Sequence, residues 1–141
     1  MSDILEKVHP QLVEVINEAR LIGELEFEVV EGFRSSERQE LFFSKGASGS
    51  NKSMHQYGLA VSLLAYIDGI PQTSTRVYEE LATTMKYAAE NVGVGLKWGS
   101  ALHYPNICNW NSEFDLLVEV YLAQLNDTPV LSPGYFELVL D

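Results

Sequence analysis

The chain has 141 residues, 46% of them hydrophobic, which suits one folded domain with a single core. Nine Lys plus Arg against twenty Asp plus Glu give a net charge of -11, which opposes binding to the phosphate backbone of a nucleic acid. No apolar run approaches the roughly 20 residues that cross a bilayer, so we expect no membrane insertion.

The first part of the chain predicts two helices with a strand between them. Pro10 to Ile22 combines a proline in the first turn with apolar residues at helical spacing. Leu25 to Val30 has the β-branched and aromatic content of a strand. Glu37 to Ser44 predicts a short helix that begins after Ser35 or Ser36 as the capping residue.

A small, polar stretch over 47–53 predicts an exposed loop, and Leu59 to Ile67 predicts a central strand. His55 lies near the start of this strand and Ser62 lies seven residues further on, so both side chains can face one pocket. A carboxylate at position 62 would make this half of a zinc site, but the residue is a serine.

The second part predicts a turn, a long helix and a short extended segment. Asp68 and Gly69 form the turn, and the helix runs from Ser74 or Thr75 to Val92. Val94 to Trp98 is extended. The residues expected on the inward face of the helix are Val77, Leu81, Met85, Ala88 and Val92.

The last third begins with an irregular aromatic and polar stretch over Ser100 to Asn111. A helical apolar stripe from Phe114 to Leu125 follows, in a helix over about 112–126, and Tyr135 to Leu140 predicts a final strand. The pattern predicts a single α+β domain over residues 1–141, with a small, mainly antiparallel sheet and helices packed against it.

Cys108 is the one cysteine, so an internal disulfide and a thiolate metal cluster are excluded. A catalytic thiol paired with His55 or His103 is conceivable, but we favour a small buried hydrophobe.

Several short segments occur in one order along the chain: Val8–Leu12, Glu31–Ser35 with Arg38-Gln39, Lys45–Ser48, Gly95–Gly99 and Tyr135–Leu138. Ser53, His55, Gly58 and Ala60 match four of the five positions of a pattern S-x-H-x-x-G-x-A-x-D. Together they resemble the zinc-dependent peptidoglycan peptidases, which include D-alanyl-D-alanine carboxypeptidases and phage L-alanyl-D-glutamate endolysins. The resemblance implies the peptidoglycan-peptidase fold.

The departures from the family pattern fall on its chemistry. The resemblance implies zinc ligands at His55 and at positions 62 and 135, and a general base at position 132. Ser62, Tyr135 and Ser132 occupy the last three positions. Because a catalytic zinc site needs about three protein ligands, we expect no bound zinc and no catalytic residue.

Other residues keep two interpretations. The resemblance implies that Arg34 contacts a substrate carboxylate, and Gln39, Ser53 and His55 are the other candidates for substrate binding. Alternatively, Arg34 ties loops together through Glu31 or Asp68. His55 with Ser53 would then form a hydrogen-bonded corner with Ser62 or Tyr135. A metal site rebuilt from other side chains stays open; its candidates are His103, Glu113, Asp115 and Glu137.

We therefore expect an inactive peptidase-like protein that acts as a phage virion or tail-associated structural component, or as a cell-wall-recognition module. The alternative is an active zinc endolysin that cleaves L-Ala-D-Glu or D-Ala-D-Ala bonds. The expected partners are other phage structural proteins or peptidoglycan, and the helix over 112–126, an insertion by the resemblance, offers a docking surface. The N-terminus lacks a signal peptide, so we expect synthesis in the host bacterial cytoplasm, with the virion as a second location.

Overall fold

The first helix begins at Pro10, as predicted, because a proline suits the first turn and an apolar stripe follows it. The computed structural model describes residues 3–45, 53–124 and 132–140. Within these ranges the helices are α1 (Pro10–Ile22), α2 (Ser36–Ser44), α3 (Thr75–Val92) and α4 (Phe114–Gln124). The strands are β1 (Glu26–Glu31), β2 (Ala60–Ile67), β3 (Ile70–Pro71), β4 (Gly95–Trp98) and β5 (Tyr135–Val139). Short 3-10 helices cover Asp3–Leu5, Met54–Tyr57 and Ile107–Asn109. The predicted α+β class is confirmed.

The strands form one antiparallel sheet in the order β1-β2-β5-β4, and β3 pairs with the far end of β2. Strands β1 and β2 are joined with a bulge, because Val29 pairs with Leu63 and Glu31 pairs with Ser62. Bulges of this kind turn a side chain toward a new direction. Here the bulge sets Glu31 beside Ser62.

Alternating burial along the strands separates the two faces of the sheet. On β5, Phe136 and Leu138 are buried, whereas Tyr135 and Glu137 on the other face are half-buried. The buried face packs into the core with the inner sides of the helices. Core residues of the helices are Leu12, Val15 and Ile16 of α1, Leu81, Met85 and Ala88 of α3, and Phe114, Leu117 and Val118 of α4.

His55 lies near the start of β2, as predicted, in the 3-10 helix Met54–Tyr57 that precedes the strand. Two local features differ from the predictions. The inner face of α3 is rotated, because Tyr78 and Ala82 are buried while Val77 and Val92 are only half-buried. Strand β3 was not predicted. Residues 47–52 of the predicted loop and the predicted helix end at Leu125 lie outside the described residues.

No helix of the described ranges combines the length and apolarity to span a bilayer.

Candidate functional site

Ser62 and Tyr135 are direct partners across the β2–β5 pair. Residues opposite each other in antiparallel strands have Cβ atoms about 4.5–5.5 Å apart. Both side chains lie on the face of the sheet opposite Phe136, and both are half-buried. The register therefore brings together two of the positions that the sequence identified as altered.

The turn before β5 carries Ser132 and is fixed by main-chain bonds. The Tyr135 amide donates to the Ser132 carbonyl at 3.0 Å, and the Leu63 amide donates to the Gly134 carbonyl at 2.8 Å. The indole of Trp98 donates to the Pro133 carbonyl at 2.7 Å. Position 132 is thus held beside Ser62 and Tyr135 by the backbone, whatever side chain it carries.

His55 is held by a capping box and by two ring contacts. The Ser53 hydroxyl accepts from the His55 amide at 3.2 Å, and the Gln56 side chain accepts from the Ser53 amide at 2.7 Å. The imidazole is 2% exposed; its Nδ1 lies 2.8 Å from the Gly32 carbonyl oxygen and its Nε2 lies 3.3 Å from Ser62 Oγ. The hydrogen-bonded corner proposed from the sequence is present, with Ser62 as the partner.

The N-terminal segment, residues 4–9, packs against Gly32 and Gly58, the two glycines whose backbone lies next to His55. Gly58, with φ 69, ends the 3-10 helix, and its carbonyl accepts from the His9 amide at 2.8 Å. A Cβ at Gly58 would overlap the Lys7 carbonyl, and a Cβ at Gly32 would overlap the Ile4 carbonyl. Close approach of this segment therefore requires glycine at both positions.

Arg34 is engaged by the two elements that flank its loop, the end of β1 and helix α2. Its Nη1 donates to Gln39 Oε1 at 2.6 Å, and its Nε lies 3.6 Å from Glu31 Oε2. Gln39 is fully buried, and Glu31 also accepts from Arg38 at 3.2 Å. Of the two interpretations of Arg34, the tie to Glu31 is present in the structure. The predicted role of Arg34 and Gln39 in binding substrate remains a prediction.

Electrostatics at the corner favour neutral groups. Burial lowers the pKa of His55, and the nearby charge of Arg34 acts in the same direction, against the hydrogen bond to Gly32. Burial raises the pKa of the Tyr135 phenol well above its usual range, and the hydrogen bond to Glu137 adds to this shift. The phenol donates to Glu137 Oε1 at 2.8 Å, as expected for alternate residues of one strand.

These donors do not fit the zinc site that the resemblance implies. Zinc ligands in proteins are neutral imidazoles, thiolates or carboxylates. Ser62 supplies a neutral hydroxyl, and Tyr135 keeps its proton on an oxygen directed to Glu137. Only the His55 ring has the chemistry of a zinc ligand at the three positions. No three His, Cys, Asp or Glu side chains of the described ranges are grouped as a metal would require.

The candidates for a rebuilt site are dispersed. His103 stacks on Tyr121 of α4, with ring centroids 5.1 Å apart. Glu113 and Asp115 line a different cleft, between α3 and the start of α4. Glu137 accepts from Tyr135. The structure therefore does not bring His103, Glu113 or Asp115 to His55.

Cys108 lies against the core rather than beside a histidine. Its Sγ is 3.8 Å from the carbonyl oxygens of Lys86 and Val94. Burial raises the pKa of its thiol, which is opposite to the shift that a nucleophilic cysteine needs.

A cleft of about 500 Å³ opens beside the corner. It follows the edge of β2 between the parts of that strand that pair with β5 and β3. Ser62, Ser132 and Tyr135 line one end of it. The remaining lining residues are Leu63, Leu64, Gln72, Thr73, Thr75, Tyr78, Pro133 and Gly134.

Two parts of the site were missed from the sequence. The Gly32 carbonyl orients His55, but a main-chain acceptor leaves no signal in residue type. Tyr78 lines the cleft, and its hydroxyl accepts from the Ala65 amide at 3.1 Å and donates to the Gln72 carbonyl at 2.9 Å. An aromatic residue with a polar tip on the apolar side of α3 could have indicated this role.

Comparisons with known proteins agree with the fold and the motifs. A sequence model of the phage L-alanyl-D-glutamate peptidase family matches residues 1–129. The crystal structure of the Serratia marcescens L-Ala D-Glu endopeptidase ChiX is similar, with a TM-score of 0.69 and 28% identity over 97% of this chain and 84% of that one. No curated protein matches the chain.

Two further solved structures are more distant. VanYB in complex with D-alanine-D-alanine has a TM-score of 0.50 and 20% identity over 92% of this chain and 68% of that one, which shows a shared fold. A mutant of the D,D-pentapeptidase VanY from a VanB-type resistance cassette, in complex with Zn(II), has a TM-score of 0.49 and 22% identity over the same shares.

Proposed function

The chain belongs to the phage L-alanyl-D-glutamate peptidase family, and from that premise we propose that it is a member that has lost zinc-dependent peptide hydrolysis. In this proposal it acts as a structural component of a phage particle or tail, or as a module that recognises the bacterial cell wall. The observation that carries the proposal is the cross-strand pair of Ser62 and Tyr135, where the family pattern has two zinc ligands.

The chemistry of this pair argues against a metal-activated water. Zinc lowers the pKa of its bound water to near 7 only when protein ligands hold the ion in place. A hydroxyl and a protonated phenol compete poorly with water for a dication. Ser132, at the position of the general base, has no titratable group that could take up the proton of a water near neutral pH. The chain therefore lacks the residues that would activate water through zinc and the residue that would remove its proton.

The surface of α4 supports a role in assembly. Leu116, Val120 and Leu122 are 47%, 46% and 40% exposed, while the opposite side of the helix packs into the core. Asp115 and Glu119 are acidic and exposed and lie along one side of Leu116 and Val120. An apolar strip with acidic residues along one side fits an apolar groove that carries Lys or Arg along the matching side on another protein. A net charge of -11 fits poorly with adhesion to an anionic wall polymer.

Metal content and peptidase activity test the proposal together. Purified protein, supplied with zinc and dialysed, is analysed for bound metal and incubated with muropeptides. We expect substoichiometric zinc and no cleavage of L-Ala-D-Glu or D-Ala-D-Ala bonds. Stoichiometric zinc with cleavage would establish the alternative, an active zinc peptidase with a rebuilt site.

A second experiment separates the two non-catalytic roles. Mass spectrometry of purified particles detects a structural component, and calorimetry with muropeptides detects recognition. Replacing Arg34 by alanine should weaken muropeptide binding if this side chain contacts a substrate carboxylate, as the resemblance implies. The variant Arg76→Ala removes the same charge from the exposed start of α3 and serves as the control.

A further inference from the structure

The hydrogen bonds of His55 fix which ring nitrogen carries the proton. Its Nδ1 lies 2.8 Å from the Gly32 carbonyl oxygen, and a carbonyl can only accept. Nδ1 is therefore the protonated nitrogen of the neutral ring, and Nε2 has a free lone pair. Ser62 Oγ lies 3.3 Å from Nε2, so the serine hydroxyl is the donor in this contact.

This arrangement has the parts of an activated nucleophile. A hydroxyl is directed at the lone pair of an imidazole, and a third group orients the other nitrogen of that ring. The base is shielded from bulk water because the His55 side chain is 2% exposed. Ser62 is half-buried and lines the cleft of about 500 Å³, so a ligand in the cleft can reach its hydroxyl.

We propose that Ser62 is a nucleophile that His55 activates, and that the corner accepts acyl groups from activated carboxylic esters without a metal. Ser62 Oγ attacks the ester carbonyl carbon and its proton passes to His55 Nε2. The bond from that carbon to the leaving oxygen then breaks, and the leaving group takes the proton from Nε2. Water releases the acyl group from Ser62 by the same sequence of steps.

The substrate class follows from the leaving group. An amide nitrogen is a poor leaving group and its cleavage depends on strong stabilisation of the oxyanion. A phenyl ester releases a weakly basic phenolate and needs less help. The apolar walls of the cleft, which include Leu64 and Pro133, suit a small apolar acyl group. This activity goes beyond the proposed function, which concerns zinc-dependent cleavage of peptide bonds.

A fluorophosphonate probe tests the nucleophile directly. Attack by Ser62 forms an Oγ–P bond and releases fluoride, which leaves a stable adduct that peptide mapping can locate. The full chain is labelled in the presence of a chelator, and the rate is followed by intact mass. We expect one adduct, on Ser62, formed at least about tenfold faster in the folded protein than in urea.

Variants of the proposed pair and of a serine outside the cleft complete the test. Ser62→Ala should remove the adduct, and His55→Gln should slow labelling at least tenfold. Ser74→Ala changes an exposed serine before α3 that makes no capping hydrogen bond and does not line the cleft, so it should keep the wild-type rate. Melting curves identify any variant that does not fold, and the comparison with urea needs no variant.

The same proteins are then mixed with p-nitrophenyl acetate, and acetylation of Ser62 should precede release of acetate. An absence of the Ser62 adduct in folded wild-type protein would overturn the proposal, as would equal labelling in urea. The result is independent of zinc content and of muropeptide cleavage, so either proposal can fail alone.

Discussion

Ser62 Oγ lies 3.3 Å from His55 Nε2, on the side of the ring opposite the Gly32 carbonyl. A histidine that binds a metal usually donates its other ring nitrogen to a carbonyl or carboxylate in this manner. The backbone therefore retains the orientation of a zinc-binding imidazole, although its Nε2 now accepts a hydrogen bond from the Ser62 hydroxyl.

Restoring two side chains should restore metal binding. The double variant Ser62→Asp with Tyr135→His places a carboxylate and an imidazole at directly opposite positions beside His55. We expect stoichiometric zinc by metal analysis and calorimetry. At free zinc 100-fold above the dissociation constant, the folded protein should gain about 2.7 kcal/mol of stability.

Ser62→Asp alone is the matched control and should bind zinc much more weakly, because it supplies one ligand fewer. A folded double variant that takes up no zinc would show that the backbone has moved away from the geometry of the family.

Tyr135 should make the protein sensitive to alkali. Its pKa is raised by burial and by the hydrogen bond to Glu137, so the folded state favours the protonated phenol. This contribution is complete below the unfolded pKa of about 10 and is lost as the pH rises from there toward the folded value. The free energy of unfolding should therefore fall above pH 10 more steeply in wild type than in Tyr135→Phe.

Urea unfolding between pH 8 and 12 measures this difference. At neutral pH the Tyr135→Phe variant should lose about 1 kcal/mol, the typical value of one hydrogen bond. Tyr87→Phe, at an exposed tyrosine of α3, is the control and should follow wild type. Parallel curves for Tyr135→Phe and wild type would contradict the expected linkage.

His103 should make the protein sensitive to acid. Burial lowers its pKa, its ring stacks on Tyr121, and its Nδ1 has no hydrogen-bond partner in the described part of the chain. Its contribution is complete above the unfolded pKa of about 6.5 and is lost as the pH falls from there toward the lower folded value. His103→Phe keeps an aromatic ring on Tyr121 and should flatten this loss.

Melting temperatures between pH 7.5 and 5 check the effect. The difference between wild type and His103→Phe should grow in favour of the variant as the pH falls. A constant difference across this range would mean that protonation of His103 does not oppose folding.

Much of the fold follows from local signals in the sequence. Pro10 to Ile22 was predicted to the residue, because a proline at the first turn and a regular stripe leave little freedom. Strand β3 has two residues and exists only through its pairing with β2, so no local pattern predicts it. The inner face of α3 also depends on its neighbours, since Tyr78 is buried through hydrogen bonds to Ala65 and Gln72.

The altered zinc positions could be identified from the sequence because each is a residue type at a fixed spacing. The hydrogen-bond partners and orientations of those residues could not be predicted from the sequence. The Tyr135 phenol is engaged by Glu137, and the orientation of His55 depends on a main-chain carbonyl. Contacts made by the backbone are the part of the site that residue identities do not encode.

Two glycines with positive φ provide a matched test of close packing. Gly58 has φ 69 and lies against the Lys7 carbonyl, whereas Gly69 has φ 79 and nothing within 4 Å of a built Cβ. Alanine at either position should cost about 1–2 kcal/mol for the backbone conformation. Gly58→Ala should lose at least about 2 kcal/mol more by urea unfolding, because the overlap is with a main-chain atom. Equal losses would show that the segment at Lys7 can move aside.

Helix α4 offers a second matched pair. Leu117 is 1% exposed and Leu116 is 47% exposed on the neighbouring position. Leu117→Ala should cost about 2–5 kcal/mol through the cavity that it leaves. Leu116→Ala should cost less than about 0.5 kcal/mol in the isolated protein and should weaken any assembly that uses this face. Similar losses of stability in both variants would mean that α4 buries both sides.

The contact of residues 4–9 with Gly32 and Gly58 has a practical consequence for handling the protein. Limited trimming by a protease, or an expression tag that displaces this segment, would act on His55 from a distance, although no side chain of the segment faces the cleft. Hydrogen exchange at the amides of His9 and Arg34, which donate to the Gly58 and His55 carbonyls, would report such damage before any loss of overall fold. Residues 4–9 are therefore part of the working unit and should be kept intact.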